Sequence, residues 1–287
     1  MAGSTRYVFS PRRGFVVTPG TARVLLEGGA GEAAVDFGLG RLPYRDRGEC
    51  VELGGDERPV CIDKETLARL VEGDRVLFSP IGGSPYFVEA RRGGHYYKLV
   101  YLGEGVRPTL EIDGVHMHNI VGTDPWRDAL RKVRLAGVRR GHRVLDICTG
   151  LGYTALASLG RGASVTSIEV SRSVLWVAEH NPYSRGLSDV DIILGDAFEA
   201  VEEVVEGVDR VIHDPPVFSH AGLLYSSEFY SKIYRVLRRG GVLFHYTGAP
   251  GERRGVKFQR GVVERLRRAG FDVVRVIKGY GVVARRV

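Results

Sequence analysis

Three carboxylates recur at matching places in the second half of the chain. Each ends or follows a short apolar run. Asp146 closes Val144-Leu145-Asp146, four residues before Gly150. Glu169 closes residues 165–169, and Asp196 sits in Gly195-Asp196-Ala197 just after Asp191–Leu194. Between the first two lies Cys148-Thr149-Gly150-Leu151-Gly152-Tyr153-Thr154-Ala155. Its glycines let a backbone turn sharply and pass close to a ligand. In open α/β sheets that position, the carboxyl end of a strand, is where ligands bind. Gly150-x-Gly152-x-x-Ala155 alone suits a dinucleotide equally well. Asp146 decides against a pyrophosphate, which a carboxylate would repel, and in favour of a cationic group. Glu169 can accept from two ribose hydroxyls and Asp196 from an adenine amino group. The set therefore points to an adenosine that carries positive charge. The competing explanation is that each carboxylate only caps a helix.

A fourth carboxylate opens a different motif, Asp214-Pro215-Pro216-Val217-Phe218-Ser219, after the apolar run Val208–His213. An exocyclic amine on a nucleobase is a poor nucleophile, because its lone pair is delocalised into the ring. Two acceptors, the Asp214 side chain and the Pro215 carbonyl, can hold its two hydrogens and aim the lone pair. Rate then comes from positioning and electrostatics. Pro215 and Pro216 stiffen the local backbone. Phe218 can supply a stacking platform for the base, a contact worth roughly 1–3 kcal/mol. A plain turn after a buried strand is the alternative.

These residues need a scaffold, and the pattern of elements supplies one. Asp124-Pro125 is a helix start, and Trp126, Leu130 and Val133 follow at helical spacing. Strands are predicted at Arg143–Ile147, 165–169, Asp191–Leu194, Val208–His213 and 242–246. Helices are predicted at 154–159, Arg172–His180, 229–237 and 256–268. Residues 271–278 and 282–287 close as a hairpin around Gly279-Tyr280-Gly281. Such alternation predicts a mostly parallel sheet covered by helices, with the hairpin adding an antiparallel strand. Before residue 120 the rhythm differs. Short β-like runs at Phe15-Val16-Val17, Val24-Leu25-Leu26, Val76-Leu77-Phe78, Tyr86-Phe87-Val88 and 96–102 are separated by Gly-Gly pairs. One helix is expected at 64–72, with Asp63 as its N-cap and Gly73 as its stop. The reading is thus a β-rich domain over residues 1–120 and an α/β domain over 121–287.

The second domain resembles the class I (Rossmann-like) S-adenosylmethionine-dependent methyltransferases, which implies a seven-stranded sheet. The resemblance makes S-adenosylmethionine the cofactor. It assigns Asp146, Cys148, Thr149, Gly150, Gly152, Tyr153, Glu169, Val170, Asp196 and Ala197 to the donor site, with Cys148 standing where a first glycine is usual. The Asp-Pro-Pro segment is similar to the Asn/Asp/Ser-Pro-Pro-aromatic motif of amino-methyltransferases. It resembles equally the Asp-Pro-Pro-x-Phe-Ser segments of ribosomal RNA methyltransferases that act at other base positions. Together with His116-x-His118-Asn119, Asp124-Pro125 and Leu243-Phe244-His245-Tyr246, it resembles an archaeal family whose implied activity is N4-methylation of cytidine in small-subunit ribosomal RNA. That resemblance gives Asp214, Pro215, Pro216 and Phe218 the catalytic roles, and adds His118 to the donor pocket.

Charge agrees with a polyanionic partner. The chain has 41 Lys and Arg against 34 Asp and Glu, a net charge of +7, and a pI near 9.4. The excess is mostly arginine, whose planar fork suits phosphate. Arg253, Arg254, Lys257, Arg260, Arg265, Arg267 and Arg268 form a basic run that reads as a solvated face or an RNA track. The expected partner is RNA, either ribosomal RNA or the small subunit, with the β-rich domain helping to hold it. Three cysteines, Cys50, Cys61 and Cys148, argue against a disulfide framework and a zinc site. His116 and His118 lack nearby thiolate or carboxylate ligands in sequence, so no metal is expected. His213 and His220 flank the acceptor motif and are candidate proton acceptors, though packing explains them as well. Asn181-Pro182-Tyr183 looks like a catalytic fragment, but proline ending a helix accounts for it. No apolar run is long enough to span a bilayer and the first residues lack a signal-peptide core, so a cytoplasmic location is expected. Two other functions fit this fold: a polyamine aminopropyltransferase, which would want an acidic acceptor groove, and a non-catalytic RNA-binding module.

Overall fold

Apolar β-branched residues make Arg143–Ile147 (β2) a strand whose last four residues are all buried. It lies in the middle of the main sheet because both faces are apolar and helices must cover both. The computed structural model describes residues 3–55, 59–204, 206–216, 222–248 and 252–287, with residues 252–256 described by backbone alone. Two compact units emerge. One comprises Met1–Phe9, Trp126–Arg172 and Gly186–Val287, the other Ser10–Pro125 and Ser173–Arg185. The sequence reading drew a single boundary at 120/121. In the structure the first nine residues group with the C-terminal α/β unit, and residues 173–185 group with the β-rich unit.

The α/β unit starts with Thr5–Tyr7 (β1) and, after Pro125–Ala136 (α1), has β2, Tyr153–Leu159 (α2), Ser164–Glu169 (β3), Asp191–Leu194 (β4), Ala197–Ala200 (α4) and Val208–His213 (β5), while Arg172–His180 (α3), between β3 and β4 in the chain, groups with the β-rich unit from Ser173 on. It ends with Ser227–Val236 (α5), Leu237–Tyr246 (β6), Glu252–Arg268 (α6), Phe271–Ile277 (β7) and Gly281–Arg286 (β8). The sheet order is β1-β4-β3-β2-β5-β6-β8-β7. Strands β2 to β6 are parallel, and β8 is antiparallel to both β6 and β7. The count is eight, not the expected seven. The extra edge strand is β1, which pairs antiparallel with β4 from Thr5↔Leu194 to Tyr7↔Ile192. Three residues are too few to show a period, so only the pairing reveals this strand.

The chain leaves β2 toward β3 and β4, then crosses to β5 on the other side of β2. That reversal makes the β2/β5 crevice the switch point of the sheet. Register aligns the strand ends there: Asp146 faces Ile212, and Ile147 faces both Ile168 and His213. Beneath, Leu145, Ile147, Ile168, Ile193 and Val211 pack with Phe229 and Ile233 of α5 and Val262 and Leu266 of α6. Each such side chain, fully buried, contributes about 1.5–3 kcal/mol. Helix α5 is pinned by Ser226, whose hydroxyl accepts from Phe229 N at 3.1 Å.

The second unit has three small antiparallel sheets. Its helix Lys64–Val71 starts on Asp63, whose carboxylate accepts from Thr66 N at 2.6 Å, as expected. Two expectations fail. Val24-Leu25-Leu26 is the end of a helix, Pro19–Leu26, and not a strand. Thr18 caps that helix by accepting from Thr21 N at 3.0 Å, and Pro19 occupies its first turn, so the capping signal outranks the local β preference. Cys50 and Cys61 form a disulfide. They lie on neighbouring antiparallel strands, Cys50–Leu53 and Val60–Asp63, two residues off register. Their Cα atoms are 5.7 Å apart, within reach of a bridge. A spacing in sequence could not show that register.

Candidate functional site

The loop after β2 is tightly constrained. Cys148 adopts φ +74°, Gly150 +56° and Gly152 +78°. The left-handed conformation at Cys148 explains why a glycine is usual there, since a Cβ at that geometry costs about 1–2 kcal/mol. At Gly152 a Cβ would lie 2.5 Å from two Leu187 carbons, so glycine is required by space as well as by φ. Tyr153 opens α2 but is only 2% exposed, with its ring edge-on to Trp126. It supports the loop from within the core. Thr149 is also buried, its Oγ1 2.6 Å from Ser167 Oγ.

Asp146 is fully buried. Its Oδ2 accepts from Ser167 Oγ at 2.9 Å, while among the described residues Oδ1 has no hydrogen-bond partner. Burial pushes its pKa up to about 7, against the pull of the Thr154 and Ser167 hydroxyls. A buried carboxylate oxygen without a donor is costly and fits a ligand that brings positive charge. Glu169 accepts from Gly150 N through Oε2 and from Ser171 N through Oε1, both at 3.0 Å. It therefore ties the glycine loop to β3. Each oxygen keeps a second lone pair for ribose hydroxyls. Val170 beside it is 68% exposed, an apolar face at the strand end. Asp196 is the N-cap of α4, accepting from Phe198 N at 2.9 Å. For this residue the capping explanation holds, with the other oxygen left as an acceptor. Ala197 is buried behind it.

Asp214 follows β5 across the switch point, and its N–H donates to Ile147 O at 3.2 Å. Its side chain is not free. Lys132 Nζ of α1 sits 2.5 Å from Asp214 Oδ2 and 2.8 Å from Asp128 Oδ2. The Tyr280 hydroxyl donates to Asp128 Oδ1 at 2.8 Å, and Lys132 Nζ stands 4.1 Å from the centroid of the Tyr246 ring. Burial raises the Asp214 pKa, and Lys132 opposes the rise. The sequence reading missed this lysine, which lies in a basic helix and reads as solvated. The signal was present: Asp128 and Lys132 share a helical stripe with buried Ala129, Val133 and Ala136. Pro215 is buried, and Pro216 O accepts from Tyr225 Oη at 3.0 Å. Phe218 and His220 lie outside the described residues.

Other candidates separate from this cluster. His213 is fully buried and stacked on His245 at 4.3 Å between ring centroids. Burial drives its pKa well below the ordinary value, so it is a neutral packing residue. His118 belongs to the other unit, with Nδ1 2.8 Å from Thr109 Oγ1. His116 there pairs with Glu111 at 3.2 Å. Asn181 ends a helix, as read: its Oδ1 accepts from Tyr183 N at 3.2 Å. Among the described residues no group of three or more His, Cys, Asp or Glu could hold a metal ion.

Comparison with known proteins agrees with this geometry. A methyltransferase domain model matches residues 144–241. An uncharacterized protein of Methanocaldococcus jannaschii, MJ1233, is 45% identical over 244 residues, covering 78% of this chain and 83% of that protein. A 23S ribosomal RNA uracil-C5 methyltransferase of Neisseria lactamica is 32% identical over 90 residues, covering 30% of this chain but 20% of that protein. The spermidine synthase of Thermotoga maritima shares the fold, with a TM-score of 0.50, 16% identity and coverage of 68% of this chain and 70% of that chain. The chain shares a family with MJ1233, and its residues 144–241 carry a methyltransferase domain of the class I S-adenosylmethionine-dependent type.

Proposed function

We propose that the protein methylates the exocyclic N4 amine of cytidine in small-subunit ribosomal RNA. The observation that carries this reading is the position of Asp214, a largely buried carboxylate at the switch point, just past the strand that pairs with the one carrying Asp146. S-adenosylmethionine supplies a methyl group on a cationic sulfur. Asp146 would balance the charge of the donor, Glu169 would hold its ribose and Asp196 its adenine amino group, with Val170 against the ring. Asp214 and the Pro215 carbonyl would accept the two amine hydrogens and turn the lone pair toward the methyl. Phe218 would stack on the base. A cytidine in a duplex would have to leave the stack, at a cost of a few kcal/mol.

Charge supports RNA and favours one part of the chain as its track. Residues 226–287 contain 15 Lys and Arg against four Asp and Glu, whereas residues 10–125 contain 14 against 17. The basic run of α6 is therefore the better phosphate track, and the net acidic residues 10–125 are the weaker candidate.

The test compares wild type and Asp214→Ala in single-turnover methyl transfer to unmodified small-subunit ribosomal RNA. Donor affinity is measured in parallel by calorimetry. The expected loss is at least about 100-fold in rate, with donor affinity within about twofold. A variant that transfers methyl within threefold of wild type would sink the acceptor role.

A further inference from the structure

We propose that Lys132 is a positioning residue of the transfer site: from α1 it fixes the Asp214 carboxylate, as a hydrogen-bond acceptor, for the incoming amine. The consequence for catalysis rests on the acceptor reading above. The geometry does not.

Lys132 is 4% exposed, and a buried ammonium must have partners. It has two, Asp128 and Asp214, with the Tyr246 ring on a further side. Asp128 is itself anchored by Tyr280, so the ammonium is held from its own helix as well as from the segment just after β5. Buried ion pairs are weak devices for stability, and apolar residues of similar volume often do as well. A charge kept here therefore calls for a use. Lys132 engages Oδ2 of Asp214. Among the described residues nothing donates to Oδ1, and the side chain is 21% exposed. One oxygen is thus anchored while the other is left, among the described residues, as an acceptor for an amine.

The surroundings make this anchor necessary. Asp214 is faced by Lys132 and Asp128 from α1, Asp146 from β2, Cys148 from the glycine loop, Tyr225 before α5, Tyr246 from β6 and Tyr280 from the β7–β8 turn. Lys132 is the one cation among them. Take it away, and burial with two neighbouring carboxylates favours a protonated Asp214. A protonated carboxyl presents an O–H to the amine where an acceptor is needed.

The experiment titrates Asp214 directly in the full chain without RNA. Aspartate is labelled with 13C at Cγ, and Asp214→Asn identifies the resonance. Lys132→Met should raise the Asp214 midpoint by about one to three pH units, and Lys132→Arg should leave it within about half a unit. In methyl transfer to unmodified small-subunit RNA, the acid limb of the kcat profile should move up by the same amount. KM should change less than threefold, with the rate recovering at high pH. A midpoint and limb that stay put, in a Lys132→Met protein binding donor normally, would overturn the inference. If that variant does not fold, Asp128→Asn with Lys132→Met removes one charge of each sign and carries the same readout. The two ideas fail separately: a fully active Asp214→Ala defeats the acceptor reading, and an unmoved titration defeats the role of Lys132.

Discussion

Asp146 shows how burial writes chemistry into a single residue. Its folded pKa of about 7 lies above the ordinary value of 3.8, chiefly because the carboxylate is buried. A raised folded pKa means that the folded state holds the proton longer. The stability this contributes is complete below the unfolded value and is lost as pH rises through about 7. A cationic donor reverses the preference and draws the proton off. Calorimetry of S-adenosylmethionine binding at pH 6.5, in buffers of different ionisation heat, should therefore show proton release, fading by pH 8.5. Asp146→Asn should abolish the release and weaken binding. A release that is absent, or unchanged in the variant, would remove Asp146 from the donor site. The place of this carboxylate near the end of a strand and before the glycine loop was legible in the sequence, because the three are contiguous. Lys132 was not, since its partner Asp214 is 82 residues away and only the sheet brings them together.

At the scale of elements, signals local to a few residues were readable and pairings were not. Asp191–Leu194 and Val208–His213 have the bounds expected from their apolar runs. The turn at Gly93-Gly94, with φ +58° and +82°, joins two paired strands as a Gly-Gly turn should. By contrast, β1 and the Cys50–Cys61 bridge depend on register, which no single segment carries. Val24-Leu25-Leu26 ends a helix and not a strand because the Thr18-Pro19 cap starts a helix that overrides the local β preference. The bridge spans a sequence separation of 11, and closing a loop of that size stabilises by about 3 kcal/mol in the chain-entropy account. Cys50→Ser with Cys61→Ser should lower the stability of the β-rich unit by about 2–3 kcal/mol in denaturant unfolding, leaving donor affinity unchanged. A loss below about 0.5 kcal/mol, or a parallel loss of donor binding, would contradict that assignment.

For the whole molecule, the main sheet, the candidate donor residues and the positive charge fall in the same unit, which holds 26 Lys and Arg against 16 Asp and Glu. The eight-stranded sheet gathers Asp146, Glu169, Asp196 and Asp214 at the carboxyl ends of four adjacent strands. The concentration of Lys and Arg after residue 225 is the kind of field that draws in a polyanion and makes its binding salt-dependent. No helix among the described residues is long and apolar enough to cross a membrane. The account joins these as donor site, amine acceptor and RNA track in one unit. The measurement that tests it most directly is nucleoside mass spectrometry. The purified protein is incubated with isotopically labelled S-adenosylmethionine and unmodified small-subunit ribosomal RNA, and the RNA is digested to nucleosides. The account predicts label in N4-methylcytidine or N4,N4-dimethylcytidine. Label on another base would contradict the cytidine assignment, and no label in RNA, with donor binding intact, would contradict RNA as the substrate.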